Sequence, residues 1–237
     1  MKRIIMMVLK NILFVPWGWF MLSKYAANVD KYTEGERYAL LKKIDHKANV
    51  GGNITVKSYG VENIPNENGF MFYPNHQGLY DVLVFLDSCP RPFAFVAKKE
   101  VRNVILLKQV MQALGSYAID REDIKQSMQI ILKMAEEVKA GKNFLIFAEG
   151  TRSKMGNRLN DFKGGSFKSA VKAKCPIVPC ALIDSFKPFD ENSIQPVTVK
   201  VIYMKPLYYE EYKDMKTVDI AAEVKRRIEK TIKEYSM

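Results

Sequence analysis

The sequence predicts an α/β fold: a largely parallel central sheet flanked by helices, with an N-terminal helical segment that associates with a membrane. Three observations carry this. Short apolar runs recur from Ile54 to Tyr203, separated by amphipathic stretches that read as crossover helices. Four of those runs end in polar, chemically capable loops, as parallel strands sharing one rim do. The first 29 residues hold four basic side chains (Lys2, Arg3, Lys10, Lys24), no acidic one, and a long apolar stretch.

From Ile4 to Leu22 the chain is nearly all apolar, interrupted by Lys10, Asn11 and Pro16. Residues 4–15 make only ~18 Å of straight helix, against ~30 Å of bilayer hydrocarbon. A helix lying in the interface, with Trp17, Trp19 and Phe20 at headgroup level, suits this better than a span. A kinked span, a cleaved leader and a helix packed on the domain are the rival readings. Residues Asp30–Ala48 follow as a charged helix with Tyr38, Leu41 and Ile44 on one face. His46, between Asp45 and Lys47, reads as solvated and silent. Gly51-Gly52 breaks the helix, which divides the chain into N-terminal membrane-associating helices (1–50) and a catalytic domain (51–237).

Beyond that break, strands are expected at Ile54–Ser58, Phe70–Tyr73, Phe93–Ala97, Tyr117–Ile119, Asn143–Ala148, Pro176–Ile183 and Val197–Tyr203. Helices are expected at Asp81–Ser88, Val101–Leu114, Asp123–Val138, Ser166–Lys174 and Thr217–Tyr235. In the third of these Ile124, Met128, Ile131 and Met134 share a face; in the last Ile220, Val224, Ile228 and Ile232 do.

Composition narrows the partners. Apolar residues make up 48% of 237, enough for a core, and 37 Lys+Arg against 26 Asp+Glu leave a formal charge of +11. That suits an anionic partner: a nucleic acid, a membrane surface or a phosphorylated substrate. Three cysteines without a CxxC read as reduced, buried thiols of a cytosolic protein. Two histidines and no Cys/His cluster argue against a zinc site.

The chemistry centres on Pro74-Asn75-His76-Gln77-Gly78-Leu79-Tyr80-Asp81. On one helix, residues five apart point about 140° from each other. His76 and Asp81 therefore meet only if the chain bends between them, which Gly78 permits. With His76 in the loop and Asp81 in the first helical turn, the carboxylate can hold one ring nitrogen and leave the other as a base. A lone His-x4-Asp is common by chance. Three further strand ends give this one company: Lys98-Lys99-Glu100, Asp120-Arg121, and Glu149-Gly150-Thr151-Arg152-Ser153. On a shared rim, Lys98, Arg121 and Arg152 face the base and suit a phosphate or carboxylate. Phe162–Lys168, with Gly164-Gly165 before a helix, can also turn backbone N–H groups toward an anion. Ser166 is not a nucleophile-elbow serine, because Lys168 stands where G-x-S-x-G requires glycine.

Asn75-His76-x4-Asp81, then Ile119-Asp120-Arg121, then Phe147-Ala148-Glu149-Gly150-Thr151-Arg152-Ser153, then Val178-Pro179 resemble the four ordered blocks of the glycerolipid acyltransferases. Within that superfamily they are similar to the 1-acyl-sn-glycerol-3-phosphate (lysophosphatidic acid) acyltransferase family. The likeness runs from about Asn63 to Ile183; Ala148 stands where the family often has proline. It implies acyl transfer from acyl-CoA or acyl carrier protein to the sn-2 hydroxyl of lysophosphatidate, with no cofactor and no metal. His76 is then the general base and Asp81 its orienting acid. Asn75 belongs to the substrate-binding set. Arg152 binds the acceptor phosphate with Lys98 and Arg121 as helpers, and Glu149, Gly150 and Thr151 shape the acceptor site. The N-terminal helices anchor the enzyme on the cytoplasmic face of an anionic membrane, and the charge then needs no nucleic acid to explain it. Glycerol-3-phosphate or another lysophospholipid as acceptor, a thioesterase or lipase working through Ser166, and a non-enzymatic basic module are the competing expectations.

Overall fold

A computed structural model describes residues 1–120 and 122–236. The helices are α1 (Lys2–Lys10), α2 (Val15–Ala27), α3 (Glu34–Gly51), α4 (Asp81–Ser88), α5 (Leu107–Leu114), α6 (Ile124–Lys139), α7 (Lys168–Ala173), α8 (Lys187–Asp190), α9 (Tyr209–Tyr212) and α10 (Thr217–Tyr235). The strands are β1 (Ile54–Tyr59), β2 (Met71–Pro74), β3 (Ala94–Lys98), β4 (Tyr117–Ile119), β5 (Phe144–Leu145), β6 (Ile177–Ile183) and β7 (Val197–Tyr203).

The strands form one sheet in the order β1-β7-β6-β2-β5-β3-β4. Neighbours pair in parallel except β6 with β7. A five-strand block therefore runs one way, and β7 and β1 run the other. The carboxyl ends of β6, β2, β5, β3 and β4 share a rim, and the beginnings of β1 and β7 lie on that same rim.

β2 shows why the apolar runs are continuous rather than alternating: both faces of the sheet are covered. Phe70 and Phe72 point into a layer with Phe85, Phe93 and Tyr203, beneath α3, α4 and α5. Met71 and Tyr73 point the other way, among residues of α6, α7 and α10. There Tyr73 stacks on Phe167 with ring centres 4.2 Å apart.

Four elements depart from the expected pattern, each for a physical reason. β5 is only two residues long, although a strand was expected over the six residues Asn143–Ala148. Phe72 accepts the N–H of Ile146 at 2.9 Å. The next rung would need an N–H from residue 74, which is proline, so the ladder stops. The helix expected over Val101–Leu114 begins at Leu107, after a 3-10 turn at Lys99–Asn103. Leu106 has φ +76, which no α-helix accommodates, and Val104 and Ile105 are turned outward. In α6 the buried residues are Met134, Ala135 and Val138, while Ile124 and Met128 are exposed. The start of that helix overhangs β4, an edge strand of three residues. Finally, α3, grouped by the sequence with the membrane-associating helices, is packed into the core. Tyr38 and Leu41 are buried there, and the Tyr38 hydroxyl donates to the Cys89 carbonyl at 3.1 Å.

α1 and α2 are bent by 98° to each other, and among the described residues no single helix is long and apolar enough to cross a membrane. Arg3 ties α1 to the domain. Its guanidinium is buried and donates to the carbonyls of Gly52 at 2.6 Å, Gln195 at 2.9 Å and Pro188 at 3.1 Å. The outer faces of the two helices expose Ile5, Leu9, Trp19 and Phe20, and the turn between them exposes Ile12 and Leu13. Cys89, Cys175 and Cys180 are free and buried.

Candidate active site

β2 delivers His76 to the carboxyl rim, and α4 begins at Asp81. Nδ1 of His76 lies 2.7 Å from Oδ2 of Asp81. Asp81 is completely buried and otherwise surrounded by donors. The backbone N–H of Gln77 donates to it at 2.7 Å, that of Gly78 at 3.1 Å, and the Ser185 hydroxyl at 2.6 Å. With only donors around the carboxylate, the proton on the imidazole belongs on Nδ1, and Nε2 carries the lone pair. The ring stacks on Phe147, centroids 4.0 Å apart, and its side chain is 22% exposed. The imidazole is thus held on one edge and one face and remains open on the other edge.

The bend expected at Gly78 is present, for a reason of space rather than of φ. A Cβ there would lie 2.9 Å from the Phe186 Cα and 2.9 Å from Asp190 Oδ2. Glycine is required because α8 crosses close above the loop.

The Glu149–Ser153 loop grips the main chain of His76. Oε1 of Glu149 accepts the His76 N–H at 2.6 Å, and Oε2 accepts the Asn160 N–H at 2.8 Å. The Ser153 N–H donates to the His76 carbonyl at 2.9 Å. Burial pushes the Glu149 carboxyl above its ordinary value, against the opposing pull of those two N–H bonds. Gly150 turns this loop with φ +74, and the Lys163 ammonium sits where a Cβ on it would come within 3.1 Å. Thr151 is exposed.

Arg152 projects beside this loop and pairs with Asp190 of α8 at 3.3 Å, both about one-third exposed. Asn75 turns inward: it accepts the Leu182 N–H at 2.7 Å and donates to the Leu182 carbonyl at 3.0 Å, fastening β2 to β6. Its amide is therefore spent on the scaffold. Lys98 extends into solvent and pairs with Glu100 at 2.9 Å, while Lys99 pairs with Asp120 at 2.8 Å. Arg121 lies outside the described residues. The structure thus gathers His76, Asp81, Glu149, Gly150 and Arg152, and it places Lys98 on the same rim with its own counter-ion.

Three residues complete the arrangement that the motif reading passed over. Ser185 donates to Asp81. Gln77 accepts the Ser185 N–H at 2.9 Å and donates to Asn157 at 2.8 Å. Asn157 in turn accepts the Asp184 N–H at 2.9 Å, which fixes Asp184 at φ +64. Ser185 follows the carboxyl end of β6, which closes at Ile183, a strand end not counted with the other four. Ser166 lies in a 3-10 turn, where its carbonyl accepts from Tyr73 at 3.0 Å. No histidine is hydrogen-bonded to its hydroxyl among the described residues.

Residues 55–183 match the family described as Acyltransferase. The chain is 31% identical over 153 residues to the chloroplastic 1-acyl-sn-glycerol-3-phosphate acyltransferase BAT2 of Brassica napus, covering 63% of this chain and 44% of that one. It is 30% identical over 135 residues to 1-acyl-sn-glycerol-3-phosphate acyltransferase of Borreliella burgdorferi, covering 57% and 54%. These matches span about half the length of the relatives. In fold the chain is similar to the crystal structure of the 1-acyl-sn-glycerophosphate (LPA) acyltransferase from Thermotoga maritima. The TM-score is 0.70 at 22% identity, over 95% of this chain and 98% of that one.

Proposed function

The chain belongs to the acyltransferase family, and we propose that it transfers a fatty acyl group from acyl-CoA or acyl carrier protein to the sn-2 hydroxyl of lysophosphatidate, giving phosphatidate. The observation that carries this reading is the doubly held His76: its ring on the buried Asp81 at 2.7 Å, its main chain on Glu149 at 2.6 Å. The names of the relatives supply the acceptor.

The chemistry asks for little more. A secondary alcohol is a poor nucleophile at neutral pH, so a base must take its proton as it attacks. His76 Nε2 takes that proton, and Asp81 steadies the imidazolium. The alkoxide oxygen bonds to the thioester carbonyl carbon, the C–S bond breaks, and the leaving thiolate recovers the proton from His76. Arg152 holds the acceptor phosphate and so places the hydroxyl near the base. Lys163, beside Gly150, and Lys98 add positive potential. Glu149, Gly150 and Thr151 form the wall on which the acceptor rests, and no cofactor takes part.

The α1–α2 pair associates with the anionic, cytoplasmic face of a membrane, where the acceptor is dissolved. Its exposed apolar faces, its basic residues and the overall charge of +11 support this.

The test is purified protein in mixed micelles with acyl-CoA or acyl carrier protein, offered lysophosphatidate, glycerol-3-phosphate and lysophosphatidylcholine in parallel. Ester formation on lysophosphatidate is expected to dominate. Faster transfer to either other acceptor overturns the acceptor assignment, and transfer to none overturns the activity.

A further inference from the structure

The candidate active site lies near the middle of its rim, because β2 is the fourth of seven strands in spatial order. The rim is bordered on both sides by exposed apolar side chains.

On one side lies α1. Arg3 fixes it there through the carbonyls of Gly52 and Gln195, which precede β1 and β7, and of Pro188, which follows β6. All three positions are on the carboxyl rim of the parallel block. The turn after α1 exposes Ile12 at 60% and Leu13 at 93%.

On the other side, the chain leaving β3 presents Val104, Ile105, Leu106 and Leu107, exposed by 47, 77, 47 and 36%. The chain leaving β4 presents Ile124, exposed by 79%, at the start of α6. Both strands end on the same rim as β2. α2 packs against α5, and Arg37, at the start of α3, donates to the Ala113 carbonyl near the end of α5.

Val104–Leu107 is a built feature. Leu106 has φ +76 and ψ −52, a conformation that a leucine rarely adopts. It is held there by Gln109, whose side chain accepts the Leu106 N–H at 2.9 Å. This geometry turns Ile105 out instead of winding it into a helix. Exposed Arg102 and Lys108 bracket the run, and no acidic residue lies between Glu100 and Asp120.

We propose that Val104–Leu107, with Ile124 beside it, is a second membrane-contacting element. The catalytic rim then rests on an anionic bilayer at both edges, with His76 between the two contacts. This rests on the reading of α1–α2 as a membrane anchor. The chemistry of the patch favours a lipid surface over a protein: a few apolar side chains between two cations are too small for a stable protein interface. They match the layering of hydrocarbon beneath anionic headgroups. Contact on both sides brings the open edge of His76 to the surface from which a lipid acceptor is drawn.

The test uses the full chain with Leu13→Cys or Ile105→Cys, each labelled with an NBD maleimide. The native thiols Cys89, Cys175 and Cys180 are buried. Each protein is mixed with vesicles of equal phosphatidylglycerol and phosphatidylcholine, with and without doxyl-labelled acyl chains. The expected result is that both labels brighten about two-fold or more and are quenched by the doxyl lipid. A response at position 13 but not at 105 overturns the second contact and leaves the anchor standing. Silence at both positions overturns both. In parallel, Ile105→Glu is expected to raise the apparent KM for vesicle-borne lysophosphatidate about ten-fold, with turnover of a short-chain, water-soluble lysophosphatidate unchanged. Equal effects on the two acceptors overturn the proposal.

Discussion

Glu149 and His76 are joined side chain to main chain: Oε1 of the glutamate accepts the backbone N–H of the histidine at 2.6 Å. The Ser153 N–H closes on the His76 carbonyl from the other side. Residues 149–153 thus hold the peptide that carries the proposed base, while Asp81 holds its ring. The two motifs, 73 residues apart from His76 to Glu149, make one rigid object.

Glu149→Gln tests the main-chain half of this grip. Glutamine keeps one oxygen acceptor and turns an N–H2 toward the other backbone donor, leaving one buried N–H without a partner. That costs about 1–3 kcal/mol and loosens the loop beneath His76. The expected outcome is a fall in kcat on the order of ten- to a hundred-fold, since a small misplacement of the base is costly. His76→Ala is expected to remove nearly all transfer. An unchanged kcat in Glu149→Gln, measured at saturating acceptor, contradicts the positioning role.

The same carboxyl gives a pH signature. Burial raises its folded value above the ordinary one. Just above the ordinary carboxylate range, the folded chain therefore binds more protons than the unfolded chain. Glu149's contribution to stability is full below that range and is lost as pH rises through the raised value. Glu149→Gln does not titrate. Its stability relative to the parent is expected to climb with pH across that window and then level off. Urea unfolding at stepped pH measures this, and a difference independent of pH refutes it.

Asp81→Asn and Ser185→Ala separate the ring's orienter from the orienter's own support. An amide at position 81 presents N–H to groups that are already donors and allows the wrong imidazole tautomer. Loss of kcat on the order of 10³–10⁴-fold is expected. Ser185→Ala removes one donor and leaves the other three, so about a ten-fold loss is expected, equivalent to ~1.4 kcal/mol. A Ser185→Ala loss as large as that of His76→Ala would instead make the serine a participant in the chemistry.

Much of this was legible in the chain. All seven strands were expected from apolar or alternating runs, and the polar ends of four of them marked the rim of the five-strand parallel block, whereas the reversal at β7 and β1 left no mark in the sequence. His76 with Asp81 could be paired because their separation is local and a glycine lies between. What escaped depended on distance or on single residues. Ser185 meets Asp81 across more than a hundred residues and carries no motif. Asn75 looked like a ligand-binding amide because its partner, the Leu182 backbone, has no side-chain signature. The shortness of β5 came from Pro74, a residue on its neighbour. The break before α5 came from one leucine with positive φ, which helical periodicity does not register.

Arg152 and Asp190 pair at 3.3 Å with each about one-third exposed, so the pair adds little stability, under about 1 kcal/mol. Arg152→Ala should leave the unfolding midpoint nearly unchanged and raise the KM for lysophosphatidate about ten-fold or more, with a smaller effect on kcat. Arg152→Lys should recover only part of the loss, because a point charge does not reproduce a bidentate fork. A normal KM in Arg152→Ala removes the phosphate assignment.

Gly78→Ala and Gly150→Ala fail for different reasons, and the kinetics should separate them. At Gly78 the obstacle is space: the new methyl would sit 2.9 Å from the Phe186 Cα, a backbone atom that cannot swing aside. Relief requires α8 to move, at a cost of about 1–3 kcal/mol, and α8 carries Asp190, the partner of Arg152. The expected defect is therefore a raised KM for the acceptor. At Gly150 the obstacle is φ +74, which costs an L-residue ~1–2 kcal/mol and distorts the loop between Glu149 and Ser153. The expected defect there is in kcat, because that loop holds the His76 peptide. Steady-state kinetics on the two variants with lysophosphatidate varied at fixed acyl-CoA decides the matter. If both variants lose only kcat, α8 does not report on the acceptor side, and the link from Gly78 through Asp190 to Arg152 is broken.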